Sequence, residues 1–358
     1  MASVAVAVVL MSGRKVNIEV PSTASLDELK QRAGNALGIR GSLLHSSGRL
    51  LEGPQTVCEA GLQMGDVLTL HMRPISVAAT HGAFAAILSD GSVVSWGHGE
   101  LGGDCQSKQS REHPRNVWFL KTTDVSVAAV LGTGNVLTWG YAFHGGDSSS
   151  VQDQLQDVTH LQATSSAFAA VRRDGSVVTW GLPERGGDSS SVQKSLRNVL
   201  HIQSTQCAFA AILDDGSVVT WGSSNGGGDS SAVDAQLRDV HSIQSTQSTF
   251  AAILRNGSVV TWGRQEAGGD STAVQHRLKK VKDVQSTLHA FAAISEDGSV
   301  TTWGHASHGA DSSAIEGRPN NVHQIQASSS AFAALLIDGS VVTRHLDWPT
   351  TSRPEYRI

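Results

Sequence analysis

Residues 208–222 read AFAAILDDGSVVTWG, from Ala208 to Gly222. A small and apolar run, 208–213, is followed by Asp215-Gly216 and then by a second β-prone run, 217–221. Asp-Gly between two such runs is the strongest short signal for a β-hairpin, because its tight turn wants φ > 0 at both central residues. The stretch recurs. Its turn glycines stand at Gly91, Gly134, Gly175, Gly216, Gly257, Gly298 and Gly339. The closing Trp-Gly pair stands at Trp96, Trp139, Trp180, Trp221, Trp262 and Trp303, in steps of 43 and then 41 residues. The next step falls on Arg344, where the pair has decayed.

Outward from this core, a run such as VLHIQS (199–204) alternates and reads as a further strand. One repeat thus gives about three antiparallel strands. The alanines suit inner strands crowded on both faces. A single sheet of this size leaves its faces open. Seven stacked about an axis bury them, and closing the ring protects the end blades. The expectation is an all-β, seven-bladed β-propeller over residues 74–358, with a period of about 41 residues. Residues 1–73 form a separate small domain.

Each Trp-Gly is followed by a loop that ends, in the clearest copies, in Gly-Gly-Asp-Ser-Ser. The following segments, SVQKSL or AVDAQL, have room for about two helical turns, with the Asp as N-cap. This Asp recurs at Asp104, Asp147, Asp188, Asp229, Asp270 and Asp311. One carboxylate per repeat does not make a calcium site, which wants several on one ion. Trp at fixed repeat spacing reads as packing between blades. So does the Phe series Phe84, Phe168, Phe209, Phe250, Phe291 and Phe332, with Val127 replacing it in the second blade.

The four residues after Trp-Gly differ between repeats: HGEL, YAFH, LPER, SSNG, RQEA and HASH, beginning at His98, Tyr141, Leu182, Ser223, Arg264 and His305. A constant scaffold with variable loops is how binding surfaces are built; neutral drift in exposed loops is the competing reading. The candidate protein-contacting residues are His98, Tyr141, Phe143, His144, Arg185, Arg264, Glu266, His305 and His308. Aromatic residues and Arg dominate binding hot spots, so Tyr141, Phe143, Arg185 and Arg264 lead the set. The chain has 15 histidines, but no acidic or Cys partner accompanies His305 and His308 at ligand spacing. They read as surface histidines, and no metal or cofactor is expected.

Composition removes other classes. The chain has 358 residues, 39% hydrophobic and 16% charged, with 27 Lys plus Arg against 32 Asp plus Glu, a net charge of -5. A general binder of nucleic acid or membrane surfaces needs a basic footprint. Cys58, Cys105 and Cys207 are far apart and form neither a disulfide framework nor a zinc spacing. The apolar start, residues 1–11, lacks a basic n-region and reads as a buried strand. A cytoplasmic or nuclear monomer is expected. No phosphate loop, nucleophile elbow or Cys-His arrangement appears, so the chain reads as no enzyme.

The repeat core, with its small-residue strand, Asp-Gly turn and Trp-Gly end, resembles the regulator-of-chromosome-condensation repeat. It is also similar to the β-lactamase inhibitor protein II propeller, whose blades are three-stranded. The resemblance spans about four-fifths of the chain and implies a seven-bladed ring. Its functions vary: nucleotide exchange on a small GTPase, enzyme inhibition, and partner recognition in ubiquitin ligases. Residues 1–73 look like a ubiquitin-like (β-grasp) α+β domain. They offer a hairpin (VAVVLMSGRKVNIEV), a helix (SLDELKQRAGNALGI) and a segment from Gly48 to Arg73. Ser25 or Thr23 caps the helix, Gly38 ends it, and Leu26, Leu29, Ala33 and Leu37 face the sheet. Leu44, Leu50, Leu51, Val57, Leu62, Val67, Leu68 and Leu70 supply strands and core.

This second resemblance implies docking to ubiquitin or proteasome machinery, with the ubiquitin patch falling on Met11, His45 and His71. Two imidazoles there replace aliphatic residues. The chain runs on through His71-Met72-Arg73-Pro74 instead of ending in a free Gly-Gly, so conjugation as a modifier is not expected. The reading is a two-domain, non-catalytic adaptor. Its alternatives are a substrate-recognition relative of a propeller-bearing ubiquitin ligase, and a regulator of a GTPase or enzyme by loop occlusion.

Overall fold

The computed structural model describes residues 3–38, 41–51, 55–71, 75–105, 114–310 and 321–343. Two compact units divide the chain. The first is Met1–Thr122 with Val127–Gly132 and Leu137–Gly140; the second is Thr123–Ser126, Thr133–Val136 and Tyr141–Ile358.

The first unit opens with β1 (Ser3–Val9) and β2 (Lys15–Pro21), paired antiparallel from Ser3↔Pro21 to Val9↔Lys15. Helix α1 (Leu26–Leu37) follows. Ser25 Oγ accepts the Glu28 amide at its start, Asp27 and Glu28 face the positive end of its dipole, and Gly38 ends it at φ 70. Leu26, Leu29, Ala33 and Leu37 are the buried stripe, as their spacing predicts. Strands β3 (Ser42–His45), β4 (Leu50–Leu51) and β5 (Val67–His71) complete a mixed sheet of order β2-β1-β5-β3-β4. Its central β1–β5 pair is parallel.

The core joins the helix stripe to Val6, Val8, Leu43, Leu51, Val57, Leu62, Leu68 and Leu70. This corrects the expected set at three places. Leu43, not Leu44, is the fully buried residue of β3, Leu50 is half-buried, and Val67 is 48% exposed. Two adjacent leucines in a four-residue strand leave its parity open. Residues 72–74 at the expected domain boundary lie outside the described residues, as do Asp311 and Arg344.

The described residues also hold seven three-stranded antiparallel sheets, the repeated-sheet architecture of an all-β propeller. These blades 1–7 span residues 76–97, 117–140, 158–181, 199–222, 240–263, 281–304 and 322–343. Blade 4 is representative: Val199–Ser204, Ala208–Leu213 and Val218–Gly222. Its middle strand is buried on both faces. Phe209, Ala211 and Trp221 pack with Ala167, Ala169, Val171 and Val177 of blade 3. Ala208, Ala210, Ile212 and Val218 pack with Phe250, Ala252 and Trp262 of blade 5. Alanine is what lets neighbouring middle strands approach, while each Phe fills the remaining depth. Burying such a ring contributes about 1.5–3 kcal/mol.

Two local details differ from expectation. The hairpin is not a two-residue turn with two positive φ values. The Leu213 carbonyl accepts the Gly216 amide, and only Gly216 (φ 77) takes the left-handed conformation. This is a three-residue loop with a bulge. Its Asp is there for another reason: Asp215 Oδ1 accepts the Ser217 amide at 2.9 Å and hydroxyl at 2.6 Å. The segment after Gly-Gly-Asp is a short 3-10 piece, such as Ser149–Gln154 in blade 2, not two α-turns. Its Asp caps an Asx-type turn, Asp188 Oδ1 accepting the Ser190 amide two residues on.

In blade 1, Phe84 and Trp96 stack on each other but are 46% and 47% exposed, unlike their buried counterparts. No described helix is long and apolar enough to cross a membrane.

Candidate protein-interaction face

The variable tetrads sit on short 3-10 turns: Ala142–His144, Pro183–Arg185, Ser224–Gly226, Gln265–Ala267 and Ala306–His308 in the second unit. Their backbones are clamped from two sides. From within the blade, a threonine before the middle strand donates to the carbonyl of the last tetrad residue. Thr123 reaches His144 O at 3.2 Å, Thr164 reaches Arg185 O at 3.0 Å, Thr205 reaches Gly226 O at 2.9 Å and Thr287 reaches His308 O at 2.9 Å. From the next blade, a tryptophan Nε1 donates to the glycine after the tetrad. Trp180 reaches Gly145 O at 3.0 Å, Trp221 reaches Gly186 O at 3.1 Å, Trp262 reaches Gly227 O at 3.0 Å and Trp303 reaches Gly268 O at 3.1 Å. The Trp series therefore does more than pack: it ties each loop to its neighbour. The first unit repeats the motif, with Trp139 Nε1 on Gly102 O.

Beside these loops the second unit carries a run of backbone hydrogen bonds from blade to blade. The amides of Asp124, Ser165, Gln206, Gln247 and Leu288 donate in turn to the carbonyls of Ser165, Gln206, Gln247, Leu288 and Ser329. These residues rim an open cavity of roughly 470 Å³, lined by Ser, Thr and Gln side chains with Asp124 as its one carboxylate among the lining residues. The rim was not among the sequence-derived candidates. Its signal was the Thr recurring every 41 residues, at Thr164, Thr205, Thr246 and Thr287.

With the loop backbones held, the side chains differ and project. Phe143 is 75% and Tyr141 42% exposed. Their rings lie 6.2 Å apart, and Tyr141 meets the edge of His144 at 5.2 Å. Arg264 pairs with Glu266 at 3.3 Å, both exposed. Such a pair contributes little to stability. Arg185 is half-buried. Blade 6 brings three imidazoles together: His308 meets His305 at 5.2 Å and His289 at 4.5 Å between ring centroids. Burial pushes the His289 imidazole below its ordinary range, and His308, His305 and Arg264 add to that by repulsion. His289 had no sequence signal of its own, since the equivalent positions carry Cys207 and Ser248.

The remaining candidates lie in the first unit. His98 is exposed. Met11 is 86% exposed in the turn after β1. His45 and His71 are half-buried on the neighbouring strands β3 and β5, where His71 pairs with Ser42 and His45 with Leu68. His45 Nε2 stands 3.8 Å from Asp66 Oδ2.

Among the described residues, no group of three or more His, Cys, Asp or Glu side chains is placed to hold one metal ion. Cys58 is exposed, Cys207 half-buried and Cys105 buried, all as free thiols.

No family model matches the chain, and no curated protein sequence matches it. Among solved structures it is similar to Prp20p of Saccharomyces cerevisiae, described with its binding to Gsp1p and histones. The identity is 18% over 64% of this chain and 71% of that one, with a TM-score of 0.40. It is also similar to human WBSCR16, at 14% identity over 73% and 83% of the two chains, TM-score 0.42. A third is the ectodomain of the Physcomitrella patens receptor kinase CR4, at 17% identity over 76% and 73%, TM-score 0.41.

Proposed function

We propose that the chain is a non-catalytic adaptor whose blade loops recognise a protein partner. The observation that carries this is the double clamp. Thr and Trp hydrogen bonds fix the backbone of each variable tetrad, while the side chains between the clamps differ and stay exposed. A pre-organised loop loses little entropy on binding, so more of the contact energy appears as affinity. Phe143 and Tyr141 form the anchor. Transferring a ring as exposed as Phe143 into a partner's apolar pocket contributes about 1.5–3 kcal/mol.

Residues 1–73 act in this reading as a ubiquitin-like domain, supported by the β2-β1-β5-β3-β4 order, the parallel central pair and the single capped helix. Their proposed role is to dock on ubiquitin or proteasome machinery. Joining two binding events in one chain raises effective concentration.

The test is quantitative affinity capture from cell extract with three full-length baits: wild type, Tyr141→Ala/Phe143→Ala, and Met11→Ala/His45→Ala/His71→Ala. The loop variant loses one set of proteins, and the triple variant loses ubiquitin-pathway proteins while keeping that set. Identical captures by wild type and loop variant overturn the loop reading. Ubiquitin-pathway proteins absent from the wild-type capture overturn the docking role. Nucleotide-release or ubiquitin-transfer activity of the purified chain overturns the non-catalytic reading.

A further inference from the structure

Blade 6 carries a feature that protein recognition does not require. Of the six tetrads, only HASH has histidine at both ends, His305 and His308. His305 precedes the 3-10 turn Ala306–His308. Such a helix has three residues per turn, so side chains three apart eclipse. The two imidazoles are thereby brought together, with His305 Nδ1 and His308 Nδ1 only 3.4 Å apart. Two nitrogens bound at 2.0–2.1 Å to one tetrahedral ion stand about 3.3–3.4 Å apart. The pair already has the bite of a chelate.

We propose that His305 and His308 form a two-imidazole site for a late first-row divalent cation, of the Zn²⁺ or Cu²⁺ class. The donor set selects that class. Imidazole suits Zn, Cu and Ni, whereas Ca²⁺ and Mg²⁺ want oxygen ligands. Ser307 Oγ lies 2.7 Å from His305 Nδ1 and 3.0 Å from His308 Nδ1, holding both rings toward one point. It is exposed, so its hydroxyl has room to rotate out as an ion enters. The His289 ring, edge-on to His308 at 4.5 Å, fixes the orientation of that ligand. The positive charge nearby on Arg264 is paired with Glu266. Two coordination positions are filled by protein, and the others are open to water or to a side chain of a docked protein. The site stands independently of the protein-binding reading.

The experiment uses tag-free full-length protein, ZnCl₂ as probe in calorimetry, and Cu²⁺ in electron paramagnetic resonance. Wild type is expected to show one saturable Zn²⁺ site and a Cu²⁺ spectrum with hyperfine splitting from two nitrogens. His305→Ala and His308→Ala each weaken Zn²⁺ binding at least about tenfold, the scale that even outer-shell losses cost. His98→Ala and His144→Ala leave it unchanged. His305→Gln keeps the loop's polar contacts and still loses the site. Unchanged Zn²⁺ affinity in the His305 and His308 variants, or no saturable site in wild type, overturns the proposal.

Discussion

Gly186→Ala strikes the joint on which the loop scaffold depends. Gly186 adopts φ +94, and its carbonyl accepts the Trp221 indole from the next blade. A side chain at a left-handed position costs about 1–2 kcal/mol. The added methyl would also stand 2.6 Å from Cδ2 and 2.8 Å from Cε2 of Phe209. That ring is fully buried and stacked on Trp221 at a centroid distance of 5.1 Å, so it has little room to yield. Overpacking of this kind costs typically 1–3 kcal/mol. The combined loss is about 2–5 kcal/mol. Gly339→Ala is the control: φ is +83 there, but nothing lies within 4 Å of the new methyl. It meets the strain alone, about 1–2 kcal/mol. Urea unfolding of the full chain, followed by Trp fluorescence, reads both. Equal losses for the two variants would refute the claim that the glycine is needed for the close Phe–loop approach.

Other outcomes follow from the same repeat geometry. Lys280 holds φ 52 at a place where the other blades put Asn116, Asp157, Asn198 and Asp239. Lys280→Asn should raise stability by about 0.5–1 kcal/mol, since Asn tolerates the left-handed region, read as a shift of the urea midpoint. Trp262→Phe keeps a ring against Phe250 but leaves the Gly227 carbonyl without its buried donor, a loss of about 1–3 kcal/mol by the same assay. The Ser217 hydroxyl and amide hold the Asp215 carboxyl below its ordinary value of 3.8, and the same pattern lowers Asp174, Asp297 and Asp338. A depressed carboxylate contributes stability that is complete above the unfolded value and lost as pH falls through the folded one. Stability should therefore drop below about pH 4. Combining Ser176→Ala, Ser217→Ala, Ser299→Ala and Ser340→Ala should shrink that drop, measured as thermal midpoint against pH.

The blade was legible in the sequence because its determinants are local and repeated. Asp-Gly, Trp-Gly and the alanine run each restrict one hairpin, and seven copies remove ambiguity. The helix of the first unit was legible at single residues, from Ser25 to Gly38. What stayed hidden depended on choices that local sequence leaves degenerate. Leu43 and Leu44 fit either parity of a short strand. Asp-Gly-Ser fits a two- or a three-residue loop, and only the Ser217 bonds to Asp215 decide between them. The site was half legible. The variable tetrads announced themselves by contrast with a constant frame. The Thr clamps did not, because a lone Thr before a strand reads as a turn residue. His289 joins His305 and His308 only through the hairpin that folds between them, at 16 and 19 residues' separation in sequence.

The central claim is that a clamped scaffold presents differing side chains to a protein partner. Hydrogen exchange of the full chain, free and bound to the partner it captures, tests this most directly. The account predicts protection gained on the tetrads, from Tyr141–His144 to His305–His308. The middle strands should be unchanged, already protected in the free protein. Protection confined to strands or to residues 1–73, with every tetrad exchanging as before, would contradict it.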